Sequence, residues 1–396
     1  MRYNNIQVLR LVAAVGVVVI HLSLYAEREF GVTGPGWKLL QLPGLAPAIV
    51  PLFFAVSGFV LTHVLQSTPP ARFLLHRAVR LYPGYWLAMG AVTAGCAFGV
   101  WPGPYLSFAE PNPAVETVLL TPPTDVRLGQ YPLVVEWTLI YEVVLWLGLI
   151  ACRLAVGVRG VPYAAAAWLA VLALKSVLAP GMGSASIPSW KTVWVSVYVA
   201  PFLMGVLAYS LAGFGRRWRW PVLAVACGLQ VAAAVWVPFT DVDPHQWLRG
   251  VAAGLTVWFL VQLPDVSATN RLAVGGGYSY GVYLLHVPLI LLSFRLSQKV
   301  DVLAGTSAGA GLAGVVAITV GLTFGRFELW THGRLKRGAD RLLRSWGRLP
   351  AGLRPALWKP APAPLPGYRF VGVTAHVEVL GGGVVQHDRR RALLRL

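Results

Sequence analysis

The chain has 396 residues, 56% of them hydrophobic and 12% charged, with a mean hydropathy of +0.63 and a net charge of +18. Soluble domains carry about a quarter charged residues, so a water-soluble globular chain is excluded. A secreted disulfide scaffold is excluded as well, because Cys96, Cys152 and Cys227 lie in apolar stretches without paired or metal-like spacing.

Ten apolar runs follow one another, at residues 6–25, 46–66, 82–101, 133–152, 161–179, 191–212, 220–239, 246–264, 278–295 and 308–330. A run near 20 residues spans a hydrocarbon core about 30 Å thick, so the expected fold is all-α: a polytopic membrane protein of about ten transmembrane helices. The first run is no cleavable signal peptide, since it is long, contains Arg10 and has no small-residue cleavage site after it. Cations gather in alternate gaps: Arg72, Arg77 and Arg80, then Arg153 and Arg159, then Arg216, Arg217 and Arg219, and finally the tail. The positive-inside rule therefore puts both termini in the cytoplasm.

Residues 1–330 form the membrane domain on this reading. The proline-rich gap 102–132 is long enough to cover a site opening outward. Gly275–Gly277 reads as a turn before a helix rather than a phosphate cradle. Residues 331–366 comprise a basic amphipathic helix on the inner surface, 333–349, and a proline-rich spacer, 359–366. The tail 367–396 has no sustained pattern and no assigned role. Residues 331–396 hold 13 basic and 3 acidic side chains. These cations border apolar runs without an aromatic and basic stacking surface, so they point to anionic lipid headgroups and not to nucleic acid.

Ionisable groups inside a span are costly and mark candidate sites. Arg10 and His21 are eleven residues apart, which returns to within about 20° of the same helix face with a rise of about 16 Å. The arginine then lies near the inner end and the histidine near the outer end. Arg77 and Arg80 share a face at spacing three, suited to one polyphosphate or to lipid headgroups. Glu142, in Glu136-Trp-Thr-Leu-Ile-Tyr-Glu142, falls below the outer interface at a depth near that of His21, and needs a basic partner. Ser57 and Gly58 admit close helix approach. Tyr283 and His286 share a face of the ninth span, where a lone histidine commonly serves as a helix–helix hydrogen-bond partner. Lys175 is an isolated cation awaiting a carboxylate. The scattered histidines show no metal-ligand spacing.

In this order these segments resemble the acyltransferase 3 family of integral membrane acyltransferases. The resemblance rests on Arg10 with His21, Phe53-Phe54 with Ser57-Gly58-Phe59, Arg77-x-x-Arg80-x-Tyr82-Pro83, Trp137 with Glu142, and Ser279-x-x-x-Tyr283-Leu-x-His286-x-Pro288. It covers about residues 6–330. Thr138 stands where the family usually has serine, which keeps the hydroxyl. The resemblance implies an O-acyltransferase in the bacterial inner membrane. Its donor would be acyl-coenzyme A, acetyl by default, with no tightly bound cofactor, and its acceptor the hydroxyl of a carbohydrate or glycosylated metabolite. Arg77 and Arg80 would hold the donor phosphates, and the pantetheine arm would pass Arg10. His21 would act as general base, oriented by Glu142. An acyl-histidine intermediate would use the same residues. Ser57, Trp137, Tyr283 and His286 would support substrate or structure. The esterase-like domain fused to some relatives does not follow the last helix, which leaves room for a separate periplasmic or extracellular partner. The rival reading is a proton-coupled exporter or flippase, because buried Arg, His and Glu also suit a proton relay.

Overall fold

The computed structural model describes residues 3–32, 46–101, 106–107, 109, 111–124, 131–237, 242–300 and 302–346. The spacer 359–366, the tail 367–396 and part of the gap 102–132 lie outside the described residues. Among the described residues the chain is all-helical, with α1 (Asn4–Phe30), α2 (Ala46–Ser67), α3 (Pro70–Ala97), α4 (Pro111–Leu119) and α5 (Glu136–Leu178). These are followed by α6 (Ala200–Ser210), α7 (Arg219–Val235), α8 (Val242–Gln262), α9 (Arg271–Ser297) and α10 (Ser307–Trp346). Six of them (α1, α2, α5, α7, α9 and α10) are long and apolar enough to cross a membrane.

The ten expected spans need correction in several places. The runs 133–152 and 161–179 join into α5, whose 43 residues would extend about 64 Å if straight, twice a bilayer core. The gap between them shrinks to a break at Gly157, with φ 71° and ψ 171°, a conformation essentially confined to glycine. The run 191–212 is not one helix. Two 3-10 turns, Val193–Val195 and Val197–Val199, precede the 11-residue α6. The last span does not stop near 330, and α10 continues without a break to Trp346. The basic segment is therefore helical but not a separate surface helix. It is held along α3, where Asp340 meets His76 at 3.0 Å and Arg72 at 3.8 Å.

Gly275–Gly277 lies inside α9, which starts at Arg271 and is capped by Asn270 accepting from the N–H groups of Leu272 and Ala273. Glycine inside a helix costs about 1 kcal/mol against alanine. The reason for it here is contact with α1, since a Cβ on Gly276 would stand 2.0 Å from the Gln7 carbonyl oxygen. The two helices run parallel, and the start of α1 is fixed near the start of α9. There the Asp265 carboxylate accepts the N–H groups of Asn4 (2.9 Å) and Asn5 (2.7 Å), a favourable place for negative charge. Helices α2 and α6 touch in the same manner, with Gly58 against the Phe202 carbonyl.

The connector between α3 and α5 does not simply cover the outer end. Helix α4 lies beside the middle turns of α3. Its last carbonyls are satisfied by α3 side chains: Tyr85 donates to Thr117, Trp86 to Val118 and Tyr82 to Leu119, at 2.7–2.9 Å. The last carbonyls of a helix have no partner within it, and these side chains supply donors for three of them. Leu120 and Val134, both at positive φ, bound the stretch that leads into α5. Helix α5 therefore begins inside the bundle, with Glu136 fully buried and accepting the Leu133 N–H at 2.7 Å.

Two cations seen in the sequence have structural partners. Arg153 lies on α5 and donates to the carbonyls of Leu65 and Thr68, closing the C-terminus of α2. Lys175 pairs with Asp243 at 2.9 Å and also donates to the Met182 carbonyl, while Ser184 donates to Asp243. Burial pushes the Asp243 carboxyl up. The hydrogen bonds from Ser184 and Lys175, with the lysine charge, outweigh it and hold the group below the usual carboxylate range.

Candidate active site

A cavity of about 150 Å³ lies where α1, α2, α3, α5 and α9 meet. Its polar lining is Arg10, Arg77, Arg80, Glu142, Ser57 and the hydroxyl-bearing side chains of Thr138, Ser279, Tyr280 and Tyr283. The remainder is apolar, chiefly from α2. Three guanidiniums thus converge on one cavity, Arg10 from α1 and Arg77 and Arg80 from α3.

The arginines are held differently. Arg80 forms an ion pair with Glu328 of α10, a carboxylate only 3% exposed, and its guanidinium stands 5.3 Å over the Tyr280 ring. Tyr280 in turn donates to the Leu81 carbonyl at 2.9 Å. Gly84 leaves room for this arrangement, since a Cβ there would press on Glu328 and Tyr280. The Arg77 guanidinium lies 5.8 Å from the centre of the Phe73 ring. Its Nε is buried and, among the described residues, has no hydrogen-bond partner. Glu142 lines the cavity together with Arg10, Arg77 and Arg80.

The expected place of Glu142 is beside His21; in the structure it is half-buried and lines the cavity with the three arginines, and that lining does not include His21. The place beside His21 is taken by His286. Its Nε2 lies 3.0 Å from His21 Nδ1, and the ring centres are 4.9 Å apart. His21 is half-buried, with Nδ1 also 3.2 Å from the Val17 carbonyl, and its ring stacks on Tyr25. His286 is fully buried, and its Nδ1 donates to the Tyr283 carbonyl at 2.8 Å.

Tyr283 joins the two groups. Its hydroxyl bonds to Thr138 in the cavity wall, its ring packs 5.5 Å from Phe53, and the His286 ring lies 6.0 Å away. Thr138, in the place usually held by serine, therefore uses the hydroxyl it retains. Of the supporting residues expected from sequence, Ser57 and Tyr283 line the cavity. Trp137 does not. It braces the start of α5 against the 3-10 turns through Tyr198 (5.5 Å) and packs on Tyr141 of its own helix (6.4 Å). The sequence reading missed Glu328 and Tyr280. Glu328 had a signal: it is the one acid between Asp301 and Asp340.

An acyltransferase-domain family model matches residues 3–326, which takes in every residue of the cavity and both histidines. Among curated proteins, "Exopolysaccharide production protein ExoZ" of Rhizobium meliloti (strain 1021) is 24% identical over 325 residues, covering 78% of this chain and 94% of the relative. No solved structure matches.

Proposed function

Since the chain belongs to the acyltransferase 3 family and is an acyltransferase, we propose that it moves an acyl group, acetyl by default, from acyl-coenzyme A to a hydroxyl of a carbohydrate or glycosylated metabolite. The single observation that carries this reading is the cavity, where Arg10 and Arg77 converge and whose Tyr283 wall also carries the histidine pair. Its volume is below the roughly 300–1,000 Å³ of pockets for drug-sized ligands. It suits a segment of the thin pantetheine arm on its way from the arginines that line it towards the histidine pair beyond Tyr283, with the nucleotide left outside at the cationic end. On this reading that end is cytoplasmic, as are both termini, and the membrane is the bacterial inner membrane. Arg77 lines the cavity, whereas Arg80 is already bound to Glu328 and acts more as a fixed charge.

The chemistry needs a base, a place for developing negative charge and a departing thiolate. His21 Nε2 takes the proton of the acceptor hydroxyl as its oxygen attacks the thioester carbonyl carbon. The C–S bond then breaks, and the thiolate of coenzyme A takes the proton back from the imidazolium. The products are an ester and a free thiol, with the histidine regenerated. Link to an exopolysaccharide rests on the relative's name and supports a glycan acceptor. A separate extracytoplasmic partner that presents this acceptor remains compatible with the scheme.

Mass spectrometry of surface glycans and secreted glycosides, from cells with and without the gene, tests the proposal. One acyl mass lost from a glycan on deletion is the expected result and names both donor and acceptor class. Unchanged acylation with altered glycan location would instead favour the export reading.

A further inference from the structure

The hydrogen-bond pattern around the two histidines carries a consequence for which nitrogen does the work. A backbone carbonyl only accepts, so His286 Nδ1, at 2.8 Å from the Tyr283 carbonyl, must carry a proton. In the neutral ring that leaves His286 Nε2 with a lone pair and no proton. His21 Nδ1 approaches this lone pair at 3.0 Å and the Val17 carbonyl at 3.2 Å, so both of its neighbours are acceptors. His21 Nδ1 is therefore protonated, sharing its hydrogen between them, and His21 Nε2 is the nitrogen with the free lone pair. Two carbonyls on two helices reach the same answer independently.

We propose that His286 is the positioning residue for His21, in the role first expected of Glu142. It holds His21 in the Nδ1–H tautomer, aims Nε2 at the acceptor, and strengthens its bond to Nδ1–H once His21 becomes an imidazolium. The orienting group is thus a neutral imidazole and not a carboxylate. This inference rests on the reading of His21 as general base. The parallel packing of α1 and α9 at Gly276 is what sets the two rings at the same level, so the device depends on a backbone contact about 15 Å away along α9. It also places Tyr283 in two parts of the machinery. Its hydroxyl belongs to the cavity wall, while its carbonyl sets the tautomer of His286.

The test uses purified full-length protein in lipid nanodiscs. Nitrogen-15 spectra of histidine-labelled protein, assigned by difference from His21→Ala, report which nitrogen of His21 is protonated. Nδ1–H is expected, and Nε2–H overturns the proposal whatever the activity. In turnover assays, His286→Phe removes the acceptor and is expected to lower kcat about 10²-fold, the lower range of general-base effects, with the donor KM unchanged. His286→Gln, whose side-chain oxygen can accept from Nδ1–H, is expected to recover at least a tenth of the wild-type kcat. Equal loss in both variants, or wild-type kcat in His286→Phe, overturns the positioning role. Activity in His21→Ala instead overturns the base assignment itself, so the two failures are distinguishable. If His286→Phe loses donor binding through misfolding, the spectrum of the wild-type protein still decides.

Discussion

Two buried charge clusters in this molecule have the same raw ingredients and opposite character. At one, Lys175 meets Asp243, and the remaining valences of both go to the Met182 carbonyl and Ser184. At the other, Arg10, Arg77, Arg80 and Glu142 line a cavity, Glu328 is paired with Arg80, and Arg77 keeps a buried donor without a partner among the described residues. The first cluster is closed, with its donors answered by protein groups. The second has more cation than anion and has room beside it. A structural charge is separated from a working one by its surroundings: an ion pair held on both sides by further protein groups is a brace, while a surplus of cations lining a cavity makes a binding site.

The comparison can be broken most forcefully at the brace. Lys175→Met leaves Asp243 buried without its cation and should destabilise the protein by about 3–5 kcal/mol, while the kcat of correctly folded protein stays at the wild-type value. Thermal unfolding in detergent measures the first and turnover the second. Adding Asp243→Leu should return much of the lost stability, because an apolar pair can replace a buried ion pair at little cost. A loss of kcat in the double variant would show that this cluster is not merely a brace.

Next in size is the cavity itself. Arg77→Ala should raise the donor KM about 10–100-fold, the equivalent of about 1.5–3 kcal/mol for a charge-assisted hydrogen bond, with kcat less affected. Arg77→Lys should fall between, since it keeps the charge and loses the fork. Titrating the donor in steady-state assays gives the answer. An unchanged KM in both variants, with altered membrane insertion, would mean that Arg77 anchors lipid headgroups.

The smallest effect is a pH dependence. Asp243 is held below the ordinary carboxylate range, so its contribution to stability is fully present above the unfolded value, near pH 4, and is lost as pH falls through the lower folded value. Wild-type protein should therefore lose unfolding temperature below about pH 4 more steeply than Asp243→Asn does. Parallel curves would remove the ion pair from the account of stability.

Much of this was legible before any coordinates, and the parts that were not share a cause. The spacing of Arg10 and His21 depends only on helix pitch within one span, and the two residues do occupy one helix with the arginine in the cavity. Lys175 required a carboxylate by charge alone, although nothing local indicated Asp243. That Glu142 shares a cavity with the arginines depends on where α5 begins, and the stretch leading there follows an α4 held by Tyr82, Tyr85 and Trp86. Local periodicity carries no information about such a contact. The triple glycine reads as a turn in the sequence for the same reason: only the neighbouring α1 backbone explains why a helix lacks side chains there. Glu328 and His286 complete the site from the far end of the chain, and their partners are 248 and 265 residues away.

The account stands or falls on acyl transfer that depends on one imidazole. The direct measurement is label transfer from acetyl-coenzyme A, carrying a labelled acetyl group, to a glycan acceptor by purified wild-type and His21→Ala protein reconstituted in vesicles, with donor binding measured in parallel. Labelled glycan from the wild type is expected, with a loss of about 10²–10⁴-fold in the variant and equal donor binding in both. Transfer at the wild-type rate by His21→Ala, or donor binding without transfer by the wild type, would contradict it.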